Sequence, residues 1–117
     1  MAPHLGSGAG QAIEDGHILA ALLAHSAMTV EALPLALKVY DEVRRPFSQK
    51  VQQGSREAGM LYEFISISDD VGNESNALSE LDFGGALQRL FGWTITGSAT
   101  GDHQRALQMI EECIRQV

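Results

Sequence analysis

The chain has 117 residues, a formal net charge of −7 and 44% hydrophobic residues, the size of one domain with one modest core. The negative balance excludes a basic face for nucleic-acid phosphates. A single cysteine, Cys113, excludes an internal disulfide framework and a cysteine-based zinc site. The longest apolar run, residues 18–24, is far below the about 20 residues that a membrane span needs. No basic residue precedes an apolar core at the start of the chain, so no secretory signal is read and a cytoplasmic location is expected.

Residues 1–117 read as a single domain. Residues 1–10, MAPHLGSGAG, read as a glycine-rich loop in which Gly6, Gly8 and Gly10 alternate. The pattern predicts a first helix from Gln11 to Ala24, apolar around much of its girth and so largely buried. Gly16 inside it predicts the close approach of another backbone or a ligand, since glycine costs a helix interior about 1 kcal/mol relative to alanine. Thr29 is read as the cap of a second helix, with Pro34 in its first turn and Leu33, Leu37, Tyr40 and Val43 at helical spacing. Pro46 predicts an end near Arg44 and a restart or kink; the second piece runs to Met60 and is weakened by Gly54 and Gly59.

Residues 65–79 read as a loop, with Ile65 and Ile67 alternating with serines as in a short strand. A short helix is predicted over Leu78–Phe91, ended by Gly92-Trp93, with a second loop over 94–101. Asp102 then caps a final helix whose stripe Ala106, Leu107, Ile110, Cys113, Ile114 and Val117 is the clearest amphipathic pattern in the chain. The fold class is mainly α: four to five helices, a glycine-rich N-terminal loop and little or no strand.

Charge is unevenly spread: residues 38–57 hold all of the Lys and Arg outside 86–117, and residues 58–85 hold only acids. The basic stretch reads as a solvated helix face. His4, His17, His25 and His103 show no metal-ligand spacing, so no metal is expected. The acidic pairs Glu14-Asp15, Asp69-Asp70 and Glu111-Glu112 read as solvated faces, because helical neighbours point apart. Cys113 reads as a small buried hydrophobe. No catalytic constellation is present. The one feature with chemistry is Gly6-Ser7-Gly8-Ala9-Gly10 leading into a helix. Backbone N–H groups at a helix start, with no side chains in the way, suit anionic or electron-rich oxygen; a flexible loop is the plain alternative. It is not a dinucleotide fingerprint, since the spacing differs and no strand precedes it.

The segment PHLGSGAGQAIEDGHILAALL resembles FAD-dependent aromatic hydroxylases of the salicylate hydroxylase type. Pro3, Gly6, Gly8, Ala9, Ala12, Ile13, Glu14, Asp15 and Leu19 match the family's pattern of a proline, a glycine loop and an Ala-Ile-Glu-Asp helix. Ala36-Leu37, Tyr40, Asp41 to Pro46, Val51-Gln52 and Ser55 to Gly59 resemble its next helical stretch in residues and distance. The resemblance covers residues 2–62; beyond them only Trp93 and the last helix echo it, and Gly16 replaces the usual alanine. It implies that Pro3, Gly6, Ser7, Gly8 and Ala9 bind the cofactor FAD, mostly through backbone: the glycine loop and helix start at the pyrimidine edge of its ring, and Pro3 near the ring where the substrate is hydroxylated. It implies NAD(P)H-dependent hydroxylation of a small aromatic substrate by the whole enzyme. The family's dinucleotide-binding βαβ unit and substrate sheet are not among these residues. The resemblance therefore implies the C-terminal portion of such an enzyme, inactive alone. A non-enzymatic helical module, self-associating or partner-binding, and a small-ligand binder are the alternatives. A homo-oligomer, most simply a dimer through the first helix, is expected.

Overall fold

The computed structural model describes residues 2–63 and 80–116. Their regular elements are all helical: a 3-10 turn Pro3–Leu5, α1 Gly8–Leu23, α2 Leu33–Tyr62, α3 Glu80–Phe91, α4 Trp93–Thr96 and α5 Thr100–Arg115. This is the mainly α class that the periodicity predicts. The expected loop and short strand around Ile65–Ile67 lie outside the described residues, as does Val117. No described helix is long and apolar enough to cross a membrane.

The chain divides into two compact units, Met1–Ser7 with Lys50–Gly97 and Gly8–Gln49 with Ser98–Val117. In the second, α1 packs on α5, and a core forms from Ile18 and Leu22 of α1, Ala36, Val39 and Val43 of α2, and Ala106 and Ile110 of α5. Each set recurs at three- and four-residue spacing, so each helix turns one stripe inward. Full burial of side chains such as Ile18, Leu22 and Ile110 contributes roughly 1.5–3 kcal/mol each. Cys113 and Ile114 are half-buried and pack against this cluster. In the first unit the buried apolar residues are Leu5, Val51, Ala58, Leu61 and Ala86, and α3 packs on α4.

Several local expectations are corrected. Gly8, Ala9 and Gly10 form the first turn of α1 rather than a loop; the first N–H groups of a helix need no intrahelical partner, so glycine is tolerated there. The buried stripe of α1 is Gln11, Ile18 and Leu22, whereas Ile13 is 73% exposed, so the helix is not largely buried. A Cβ at Gly16 would meet nothing within 4 Å, so among the described residues no backbone requires that glycine. Helix α2 runs through Pro46 without a break. Proline removes one backbone bond, while the helix keeps buried Val39, Val43, Val51, Ala58 and Leu61 along its length. Trp93–Thr96 is a helical turn rather than loop.

Thr29 is not the cap of α2 either: its hydroxyl oxygen accepts from the Ala32 N–H at 3.3 Å within the turn that precedes the helix, which starts at Leu33. Asp102 is not a cap. Helix α5 starts at Thr100 without a side-chain cap, and Asp102 bonds elsewhere. Ile110→Ala in the fully buried stripe of α5 is expected to lower unfolding free energy by about 2–5 kcal/mol, read by chemical denaturation. A loss under about 0.5 kcal/mol would show that α5 does not hold the core.

Candidate functional site

Pro3 opens the 3-10 turn at a position where its missing N–H is harmless. The Gly6 N–H closes the turn by donating to the Pro3 carbonyl at 2.9 Å. Gly6 has φ +62°, ψ +13°, the left-handed region in which residues with a Cβ lose roughly 1–2 kcal/mol. The Ser7 hydroxyl donates to the Leu5 carbonyl at 3.0 Å, and α1 begins at Gly8. Pro3, Gly6, Gly8 and Ala9 are exposed and Ser7 is half-buried. A Cβ built at Gly6, Gly8 or Gly10 would meet nothing within 4 Å, so the backbone of these residues is open to approach.

The turn does not stand free. Within the first unit it lies along Gly54–Tyr62 of α2. The Ser55 hydroxyl donates to the Ala2 carbonyl, and the Tyr62 hydroxyl donates to the His4 carbonyl at 3.2 Å. The His4 and Tyr62 rings meet edge to face, centroids 6.1 Å apart. Gly54 and Gly59 are where the turn comes closest: a Cβ at Gly54 would lie 3.3 Å from Leu5 Cδ1, and one at Gly59 would lie 2.7 Å from His4 Cδ2. Sequence reasoning treats these two glycines only as helix weakeners. The available signal is that a glycine inside a helical pattern marks close packing.

In the second unit the dominant polar feature is Arg44, 3% exposed. Its Nε donates to Asp15 Oδ1 at 2.7 Å, Nη1 to Asp102 Oδ2 at 2.7 Å, and Nη2 to Gln11 Oε1 and Glu14 Oε2, both at 3.0 Å. The Gln11 amide also donates to Glu14 at 3.3 Å, and Arg44 lies 5.3 Å from the Phe47 ring centroid. Glu14 and Asp15 are therefore not a solvated pair. A guanidinium offers donors on two edges, so two carboxylates one residue apart on a helix both reach it. Burial opposes the Arg44 charge, but its hydrogen bonds to Asp15, Asp102 and Glu14 outweigh it and raise its pKa above the ordinary value. Burial first, then the Asp15 charge, raises the Tyr40 hydroxyl; Arg44 opposes and Asp41 adds to the rise. His17 and His103 stack at 4.8 Å between centroids, and buried His103 Nδ1 has no hydrogen-bond partner among the described residues. Among the described residues no three His, Cys, Asp or Glu side chains are placed to hold a metal.

Arg44→Met leaves Glu14, Asp15 and Asp102, each about 30% exposed, without their counter-charge. The expected loss of stability is about 2–4 kcal/mol, somewhat below the about 3–5 kcal/mol for breaking a fully buried pair because the carboxylates keep some water. Arg44→Lys is expected to recover only a part, since an ammonium cannot fork to four acceptors. A denaturation midpoint unchanged in Arg44→Met would contradict this account. For Tyr40 the folded chain holds the phenolic proton more tightly than the unfolded chain. Its contribution to stability is intact below about pH 10, the ordinary tyrosine value, and is lost as pH climbs through the raised one. The absorbance titration of wild type minus Tyr40→Phe is expected to have its midpoint above about 10; a lower midpoint would refute it.

The chain is similar to six curated proteins, all named as hydroxylases or monooxygenases. Salicylate hydroxylase of Pseudomonas putida is 48% identical over 63 residues, 54% of this chain and 14% of that protein. The FAD-dependent monooxygenase str9 of Strobilurus tenacellus is 30% identical over 102 residues, 85% of this chain and 20% of that protein; a match of that extent also runs beyond residue 62. The 3-amino-4-hydroxybenzoate 2-monooxygenase PtnB3 of Streptomyces platensis is 48% identical over 59 residues, 50% of this chain and 14% of that protein. No family profile and no solved structure matches. The chain spans about a seventh to a fifth of the length of these relatives. By these similarities it is a salicylate hydroxylase-like flavin monooxygenase segment, of a parent family that uses FAD.

Proposed function

We propose that this chain supplies the flavin-ring side of an FAD-dependent monooxygenase, as the C-terminal portion of such an enzyme. The observation that carries the reading is the open backbone at Gly6, Gly8 and Gly10, within a sequence similar to salicylate hydroxylase. The residues present fit the ring's polar edge. The left-handed turn at Gly6 and the exposed first turn of α1 present backbone N–H groups without a side chain in front of them. Ser7, Gly8 and Ala9 would bind through those groups and favour negative charge on the oxygen they face, while Gly6, whose own N–H is held by the Pro3 carbonyl, would shape the turn that presents them. Pro3 would stand beside the ring. FAD bound there would supply the activation of dioxygen, one oxygen atom going to an aromatic substrate and the other to water. Reduced nicotinamide supplies the electrons. No side chain of this segment is assigned an acid, base or nucleophilic role. A cytoplasmic location belongs to the same reading.

The isolated chain is proposed to be inactive and to hold FAD weakly, since among the described residues there is no strand from which a dinucleotide-binding βαβ unit could be built. Equilibrium dialysis of the chain against FAD is expected to give a Kd weaker than about 1 μM; tighter binding would overturn the incompleteness. Replacing the matching 63 residues of Pseudomonas putida salicylate hydroxylase by those of this chain tests the role directly. The chimera is expected to keep its FAD and its hydroxylation of salicylate. A folded chimera without flavin would defeat the reading.

A second reading, a self-associating helical module, is favoured by exposed apolar side chains of the second unit: Ile13 at 73%, Val30 at 82% and Leu37 at 47%. Surfaces of this kind commonly mark partner contacts when contiguous, and a symmetric dimer is the simplest closed assembly. Sedimentation in physiological salt would then show a concentration-dependent mass; a constant 12.6 kDa species would reject it.

A further inference from the structure

We infer that Ser55, Gly59 and Tyr62 of α2 are positioning residues for the flavin-facing turn, a role that rests on the flavin reading above. The turn is anchored at two carbonyls, Ala2 to the Ser55 hydroxyl and His4 to the Tyr62 hydroxyl. Over residues 2–5 only Leu5 is buried; Ala2, Pro3 and His4 are exposed. A three-residue 3-10 turn has few bonds of its own, so its posture depends on what it lies against. That support is a helix stretch with no side chain at Gly59, where the His4 ring occupies the space a Cβ would need. A glycine in a helix interior is unfavourable, and here it sits where the turn requires room.

Each anchor is separated from the turn by about fifty residues of sequence, 53 for Ser55 and Ala2, and 58 for Tyr62 and His4. The turn that would face the flavin is thereby set by α2. A change at Ser55, Gly59 or Tyr62 moves Pro3, Gly6 and Ser7 without altering any residue that touches the cofactor.

Amide exchange and FAD titration by NMR on the full 117-residue chain test this. Ser55→Ala with Tyr62→Phe removes both anchors and keeps the shapes. Gly59→Ala favours the helix while displacing the His4 ring. Both are expected to keep the helical circular dichroism of the wild type. Both are expected to speed exchange of the Gly6 amide, the donor that closes the turn, by about tenfold, the scale of one or two net hydrogen bonds. FAD, titrated to about 2 mM, is expected to shift the Gly6, Ser7 and Gly8 amides of the wild type. The two variants are expected to need about tenfold more FAD for the same shift, the same free-energy scale. In a His4→Ala background, Gly59→Ala is expected to add nothing, because the ring through which it acts is gone.

The outcomes separate the two ideas. A wild-type chain whose amides ignore FAD overturns the inference, even if Gly6 exchange responds, while the flavin reading stands or falls with the chimera. A wild type that responds, with variants of equal affinity, overturns the inference and leaves the flavin reading standing. Unchanged Gly6 exchange in both variants overturns it at the level of the turn itself.

Discussion

Arg44 carries one positive charge into a place where only 3% of its surface meets water, and three carboxylates and one amide from two other helices are drawn to it. A guanidinium cannot lose its proton there, because Asp15, Asp102 and Glu14 outweigh the burial that opposes its charge. Its donors must therefore all be met. Meeting them fixes the rotation of α1, which has to present Gln11, Glu14 and Asp15, and of α5, which has to present Asp102. The apolar stripes Ile18–Leu22 and Ala106–Ile110 then face Val39 and Val43. The apolar stripes supply most of the stabilisation, and the guanidinium selects which rotation of each helix is allowed. Such use of a buried polar group for register is well attested elsewhere.

The same economy of means appears in the unit that contains the N-terminal turn. Two glycines of α2 create room, and a serine and a tyrosine on that helix bind two carbonyls. In both units residues of α2 give direction to shorter pieces. In one the chain is oriented by charge-assisted bonds to side chains, and in the other by neutral bonds to backbone. The difference follows from what must be held: helices can offer side chains, whereas a three-residue turn can offer little besides its carbonyls.

The similarity to salicylate hydroxylase and to other monooxygenases gives these devices a context. The match of 63 residues is long enough to include the glycine turn and much of α1 and α2, or a comparable stretch of the chain. Arg44 lies within the run Asp41–Pro46 that resembles the family's second stretch, and two of the three acids it binds, Glu14 and Asp15, lie in the first. Two sequence stretches that look separate are thus one physical feature, an arginine and its acceptors.

The sequence by itself determined the helical class and the core stripe of α5, because both rest on local periodicity. It also exposed the glycine turn and the family resemblance, since permissive residues in a fixed order need no tertiary knowledge. The fate of Pro46 was not legible, because one lost backbone bond is a local quantity and the buried residues on both sides of it are not. Nor was the exposure of Ile13, the open space at Gly16 or the true partner of Asp102, since an apolar, small or acidic residue does not state which helix face will be covered. Only the tertiary structure decided that Glu14, Asp15 and Asp102 are one cluster around Arg44, and that Gly59 makes room for His4. Both are pairings across tens of residues, and they come into being only when the chain has folded and each donor has found its acceptor.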